Sequence, residues 1–284
     1  MTKAQICIMI SIVIYLVAMV MIGVVYSKKT KNVGDFYLGG RKLGPLVTAM
    51  SAEASDMSSY LLMGLPGLAL VSGLAEVGWT VIGLAIGTYL NWLIVAKKLR
   101  KYSARINAIT IPDYFSKRYK DNSRLIMAVA ALMIIIFFVP YTASGFAACG
   151  KLFGTLFGID YHIAMVVSAI VIVGYTSLGG FNAASMTDFI QSIIMTAALI
   201  IVLVFGVNKA GGMEQVIANA NNLAGYLDVF KGYDAATNSA GSFGAIKVVS
   251  TLAWGLGYFG MPHILLRFMA IEDPNKVKIS RRVA

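Results

Sequence analysis

Residues 45–70 are apolar enough and long enough to cross a bilayer, yet their middle carries the run Ser51-Ala52-Glu53-Ala54-Ser55-Asp56-Met57-Ser58-Ser59. Two carboxylates and four hydroxyls would sit close to mid-membrane. Ionisable groups at that depth are expensive and normally face a partner, a cavity or an ion path. Backbone can unwind there only when it is buried in protein or lines a cavity. The run makes this chain a candidate membrane transporter.

Composition agrees with a membrane location. Only 13% of the 284 residues are charged and 58% are hydrophobic, whereas soluble domains carry roughly 25% charged residues. Cys7 and Cys149 are the two cysteines, and both lie in apolar stretches, so neither a disulfide framework nor a metal cluster is supported. No nucleophile–base pair is evident, so an enzyme is not expected. The net charge of +11 reads as cytoplasmic-loop lysines and arginines rather than as a nucleic-acid surface. Solvated charge is the simpler role for the basic loop 97–124, with contact to anionic lipid as the alternative.

A helix needs about 20 apolar residues to span the hydrocarbon core. Seven stretches qualify, near 4–27, 45–70, 76–97, 124–150, 160–178, 188–207 and 244–270. The first is too long for a signal peptide, lacks a clear cleavage site and runs directly into Lys28-Lys29, so it reads as a retained span. Of the lysines and arginines, 19 fall in the loops after spans 1, 3 and 7, and 5 (Lys3, Lys151, Lys209, Lys231 and Lys247) on the other side. That bias places the N-terminus outside and the end of the chain in the cytoplasm. The longest outer connection, 208–243, is rich in Asn, Gly and Ala and has room for one short helix near 213–223.

Four places could carry chemistry. Gly44-Pro45 opens span 2, the polar run fills its middle, and Gly64-Leu65-Pro66-Gly67 lies near its outer end. Hydroxyls and freed carbonyls of an unwound segment are hard oxygen ligands suited to a small cation. The plainer reading is a continuous helix, which leaves Glu53 and Asp56 unexplained. In span 7, Trp254-Gly255-Leu256-Gly257-Tyr258-Phe259-Gly260-Met261-Pro262-His263 predicts a second break. Trp254 and Tyr258 are four apart and share a face if that half stays helical. They form either an aromatic wall for an apolar solute or a lipid-facing pair. His263 reads as a packing or capping residue. The third place is Tyr175–Phe181 with Thr187, Asp188 and Gln191, joining spans 5 and 6 on the cytoplasmic side. Asp188 either lines an ion path or caps span 6 at its N-terminus. The fourth is Tyr141, behind the kink expected at Pro140, facing a cavity or simply packing.

Spans 2 and 7 are five apart, so they cross in opposite directions. A broken helix opening each of two inverted five-helix repeats is the pattern of LeuT-like secondary transporters. The expected fold is therefore an all-α integral membrane protein with about seven transmembrane helices. It would comprise an extra helix at 4–27, a first repeat at 45–207 and the first helix of a second repeat at 244–270, all within one membrane domain over 1–284.

With these residues on the page, the chain resembles the sodium:solute symporter family, and most of all its sodium/proline symporters. The likeness rests on Phe36-Tyr37-Leu38-Gly39-Gly40-Arg41, Ser51–Gly67, Pro112-Asp113-Tyr114-Phe115, Tyr141–Gly145, Tyr175–Gln191 and Trp254–Arg267. It implies a sodium-driven alternating-access carrier in the cell membrane, with sodium as the co-transported ion and no organic cofactor. By resemblance, Ala54 and Met57 offer backbone carbonyls to sodium, with Asp56 needed nearby. Asp188 matches an acidic residue that handles sodium on the inner side, and Arg41 an arginine at the cytoplasmic mouth. Ser58 and Tyr60 of the same segment, with Tyr141, Trp254, Tyr258 and Pro262, are the implied solute contacts.

The chain departs from proline carriers at three positions. Tyr60 stands where Trp is frequent, Glu53 where a small residue is common and Met261 where Gln is common. Family members are much longer, and their sodium site is completed by hydroxyls of a later helix. The resemblance thus implies an N-terminal part of a symporter whose partner is the missing C-terminal half of the same polypeptide. The leading reading is sodium symport of a small solute, foremost L-proline, with the bilayer and the solute as partners and no nucleic acid. Alternatives are a carrier of another amino acid or organic solute, a membrane solute sensor, and a non-functional fragment.

Overall fold

The computed structural model describes residues 2–284. Helix α1 (Lys3–Ser27) starts at a reciprocal cap in which the Thr2 hydroxyl accepts from the Gln5 amide. A short α2 (Val33–Leu38), capped by Asn32, leads through Gly39–Arg41 into α3 (Pro45–Asp56). Residues 57–58 are not helical. A π-helical turn, Tyr60–Gly64, then leads into α4 (Leu65–Ser72). The interruption expected in span 2 is present, and it falls at the end of the polar run.

Helix α5 (Leu74–Asn91) continues through a π turn (Trp92–Ala96) into α6 (Lys97–Arg105), followed by α7 (Ile111–Arg118) and the long α8 (Leu125–Phe157). Helix α8 passes through Pro140 without a break in its helical assignment. Helix α9 runs Tyr161–Lys209, and α10 is Met213–Asn221, where the sequence left room for it. Strands β1 (Lys231–Asp234) and β2 (Ser239–Ser242) pair antiparallel. After them come α11 (Ala245–Leu252), a 3₁₀ segment (Ala253–Phe259), α12 (Pro262–Ala270) and α13 (Val277–Val283). A seven-residue 3₁₀ run exceeds the usual three or four. It is the break that the glycines and Pro262 predicted.

By length and composition, four helical stretches among the described residues can cross a membrane: Lys3–Ser27, Leu74–Arg105, Leu125–Phe157 and Tyr161–Lys209. The last contains two of the seven sequence spans, because Gly180 (φ 62°, ψ −156°) breaks the helix in a single residue. A loop between 178 and 188 was expected. The structure replaces it with this glycine, so the helix resumes at once and Asp188 lies well inside it rather than at its N-terminus. The two remaining spans are the discontinuous ones, α3–α4 and α11–α12. Ile170, Ile201 and Leu203 are 64–67% exposed. Apolar faces of that size call for lipid or further helices against them.

The chain divides into two compact units. The first comprises the N-terminal stretch to Ala52, Lys97–Phe189 and Leu265–Ala284; the second comprises Glu53–Ala96 and Ile190–Ile264. In the first unit the bend of α9 is wedged against the N-terminal helices. A Cβ on Gly179 would lie 2.8 Å from the Gly23 carbonyl, and one on Gly180 would lie 2.9 Å from the Phe36 carbonyl. In the second unit α5 crosses the 3₁₀ segment at Gly83 and Gly87. A Cβ on Gly87 would stand 2.2 Å from the Gly255 carbonyl. Small residues permit this backbone approach, which drives helix association where lipid removes any hydrophobic gain.

Candidate solute and ion site

In the second unit the end of α3 meets the 3₁₀ segment. The last carbonyls of a helix have no intrahelical donors. Here the Met57 amide bonds the Glu53 carbonyl at 3.0 Å, and the chain then leaves the helix. The Tyr258 hydroxyl donates to Asp56 Oδ2. From the far side, Asn91 Nδ2 holds the Tyr258 carbonyl at 2.8 Å. Tyr258 is therefore fixed at backbone and hydroxyl while being buried. The Tyr60 and Trp254 rings pack at 5.1 Å with a 42° tilt, a geometry that is attractive for aromatic pairs. No lysine, arginine or histidine pairs with Glu53 or Asp56 among the described residues.

The first unit holds a second polar centre. Arg41, with φ +57°, sends its guanidinium to Ser103 Oγ (3.0 Å) and to the carbonyls of Met269 (2.9 Å), Ser103 (3.0 Å) and Ala108 (2.7 Å). Arg100 donates to the carbonyls of Ile271 and Glu272. Two cations thus cap the end of α12, where carbonyls and helix dipole favour positive charge. Leu43 pairs with this end through a parallel bridge to Ile271. Burial and the neighbouring Arg100 push the Arg41 guanidinium down to about 10, so it stays charged at neutral pH. Nearby in the same unit, Arg267 Nη2 lies 2.6 Å from Asp188 Oδ2. Ser51 Oγ donates to the same carboxylate oxygen at 2.7 Å.

The structure brings Asp56, Tyr60, Trp254 and Tyr258 into direct pairs, and places Ala54, Met57 and Ser58 at the same helix end. Ser58 Oγ accepts from the Tyr60 amide at 3.2 Å, a local bond that shapes the break. Pro262 opens α12, with His263 in its first turn. Tyr141 belongs to the first unit; it packs on Phe138 at 5.6 Å and is 38% exposed. Asn91 and Arg267 went unnoticed in the sequence as site residues. Asn91 follows the Gly83 and Gly87 spacing on α5, and that spacing was the available signal. Arg267 carried none beyond its charge.

Two discontinuous helices, one ending in carboxylates and the other lined with aromatics, define a multi-pass helical membrane protein whose polar groups gather at its helix breaks. The model of the sodium:solute symporter family matches residues 36–284. The chain belongs to the sodium:solute symporter family. It is 45% identical over 278 residues to the osmoregulated proline transporter OpuE of Bacillus subtilis, covering 97% of this chain and 54% of that protein. Identity to the high-affinity proline transporter PutP of Bacillus subtilis is 43%, over 93% of this chain and 54% of the relative. Against the sodium/proline symporter of Escherichia coli it is 40%, over 97% of this chain and 53% of the relative. The chain therefore spans about half the length of the curated relatives it matches. These relatives are transporters, not enzymes. A substrate-bound, outward-open structure of a Na+-coupled sialic acid symporter aligns with a TM-score of 0.76 at 19% identity, covering 95% of this chain and 54% of that one. The helical, LeuT-like architecture expected from the two breaks is the fold the two share.

Proposed function

We propose that this chain is part of a sodium-coupled symporter that carries L-proline, or a similarly small amino acid, by alternating access. The observation that carries the reading is the bond from Tyr258 to Asp56, which ties one helix break to the other. In this reading sodium binds at the end of α3 through the carbonyls of Ala54 and Met57, with Asp56 supplying charge. The solute lies against Ser58, Tyr60, Trp254, Tyr258 and Pro262, with Tyr141 joining during the cycle. Asp188 handles sodium on the cytoplasmic side, and Arg41 holds the cytoplasmic mouth closed. Residues 45–207 act as a first repeat and 244–270 as the opening helix of a second, while 4–27 stands outside both. The N-terminus is outside and residues 97–124 face the cytoplasm, following the charge bias. The partner for this work is the C-terminal half that its relatives carry. The names of the relatives support proline as solute; Tyr60, Glu53 and Met261 are the positions that would shift the preference.

Sodium entry down a membrane potential supplies about 2.3 kcal/mol per charge per 100 mV, roughly a fifty-fold accumulation. The test is radiolabelled proline uptake into vesicles with and without an inward sodium gradient. This chain is run beside a version extended to the length of its relatives. Uptake that needs sodium supports the reading. Sodium-independent uptake, or proline binding without uptake, removes it in favour of another carrier or a sensor.

A further inference from the structure

Arg267 and Asp188 form an ion pair unlike the other three among the described residues. Those three join residues three or four apart, with side chains 22–57% exposed, and exposed pairs of that kind contribute little. The Arg267 and Asp188 side chains are only 8% and 17% exposed, and they lie on α12 and α9. Ser51, on α3, closes the triangle: its Oγ accepts from Arg267 Nε at 2.7 Å and donates to Asp188 Oδ2. The Arg267 guanidinium also stands 5.6 Å from the Phe181 ring, a face able to hold it once it leaves the carboxylate.

We infer that Arg267 is a tethered counter-cation that competes with sodium for Asp188 and so sets the sodium affinity of that carboxylate. The inference rests on the proposed role of Asp188 in sodium handling and extends it to a residue that role does not include. A guanidinium and a second cation within a few ångströms of one carboxylate repel each other more strongly in a water-poor site than in water. Sodium arriving at Asp188 therefore displaces Arg267. Displacement also frees the Ser51 oxygen from Arg267 Nε, and a hydroxyl oxygen is a hard ligand that sodium accepts. Arg267 sits on the helix that follows the 3₁₀ break, so sodium occupancy at α9 is passed to α12 by the departure of one side chain. Arg267 is thus a positioning residue for the transport cycle, not a solute contact.

The experiment uses the protein at the full length of its relatives, purified in detergent. It combines radioactive sodium binding with melting curves in sodium chloride and in choline chloride of equal concentration. Arg267→Gln should lower the half-saturating sodium concentration about tenfold, because the competing cation is gone. Arg267→Lys should stay near the parent. Asp188→Asn should erase the difference between Arg and Gln at 267. If Arg267→Gln fails to fold, the Arg267→Lys and Asp188→Asn variants and their double variant still report. The melting-temperature coupling between 267 and 188 should be smaller in sodium than in choline. An unchanged or weakened sodium affinity in a folded Arg267→Gln protein, or equal coupling in both salts, overturns the inference. Sodium-sensitive coupling in a protein that shows no sodium-driven uptake would instead overturn the symport reading and leave this inference standing.

Discussion

Both compact units contain a polar centre built on carboxylates, and the two centres solve the problem of buried charge differently. In the first unit Asp188 carries its own cation, Arg267, while Arg41 and Arg100 spend their donors on backbone carbonyls at the end of α12. In the second unit Glu53 and Asp56 lie within three residues of each other, and among the described residues no basic side chain pairs with either. Asp56 accepts instead from the Tyr258 hydroxyl. A neutral donor stabilises a carboxylate less than a cation does. A cation reaching the first centre must therefore compete with a tethered guanidinium, whereas one reaching the second meets only a neutral donor.

The largest expected effect strikes the second centre. Asp56→Asn should raise the sodium concentration for half-maximal uptake about 10- to 100-fold, since a charge-assisted partner is lost. Undiminished coupling in sodium-titrated uptake would show that the Asp56 carboxylate is not the cation's partner. The first centre should respond in stability instead. Arg41→Gln deprives three backbone carbonyls and a serine of a charged donor. It should lower the melting temperature by about 5 °C or more. A variant that melts normally and does not leak solute would show that Arg41 neither clasps the end of α12 nor closes the mouth.

Smaller effects sharpen the same contrast. Gly87→Leu forces side-chain atoms into the Gly255 backbone, an overpacking cost of about 1–3 kcal/mol. It should shift the 3₁₀ segment and weaken solute binding in equilibrium dialysis, with the Arg41 cluster intact. Tyr258→Phe keeps the ring and removes the donor to Asp56. Sodium half-saturation should move by about tenfold or less while the solute preference holds. If the solute preference moves and sodium does not, the hydroxyl serves the solute rather than the ion. Tyr60→Trp should be mildest, altering competition among amino acids by less than about fivefold, because an aromatic partner for Trp254 is kept.

Much of the fold was legible because its causes are local. Apolar length announces a span, and the glycines with Pro262 announce the 3₁₀ break. The end of α3 at the polar run followed from the same reasoning. The β1–β2 hairpin was missed because four-residue strands of Lys-Gly-Tyr-Asp and Ser-Ala-Gly-Ser carry almost no strand preference. The turn inside α9 was read as a loop because one glycine at φ 62° can reverse what composition marks only as a polar stretch.

By itself, the sequence determined that the chain inserts in a membrane, where its helices break and which residue types stand at the breaks. Each of these depends on a window of neighbours. Tertiary structure alone decided the pairings. Asp188 meets Arg267 across 79 residues, and Asp56 meets Tyr258 across 202. No spacing rule reaches that far. A charge chooses its partner from whatever the packed helices bring within about 3 Å, and close helix approach is set by small residues such as Gly83 and Gly87, whose partners lie elsewhere in the chain.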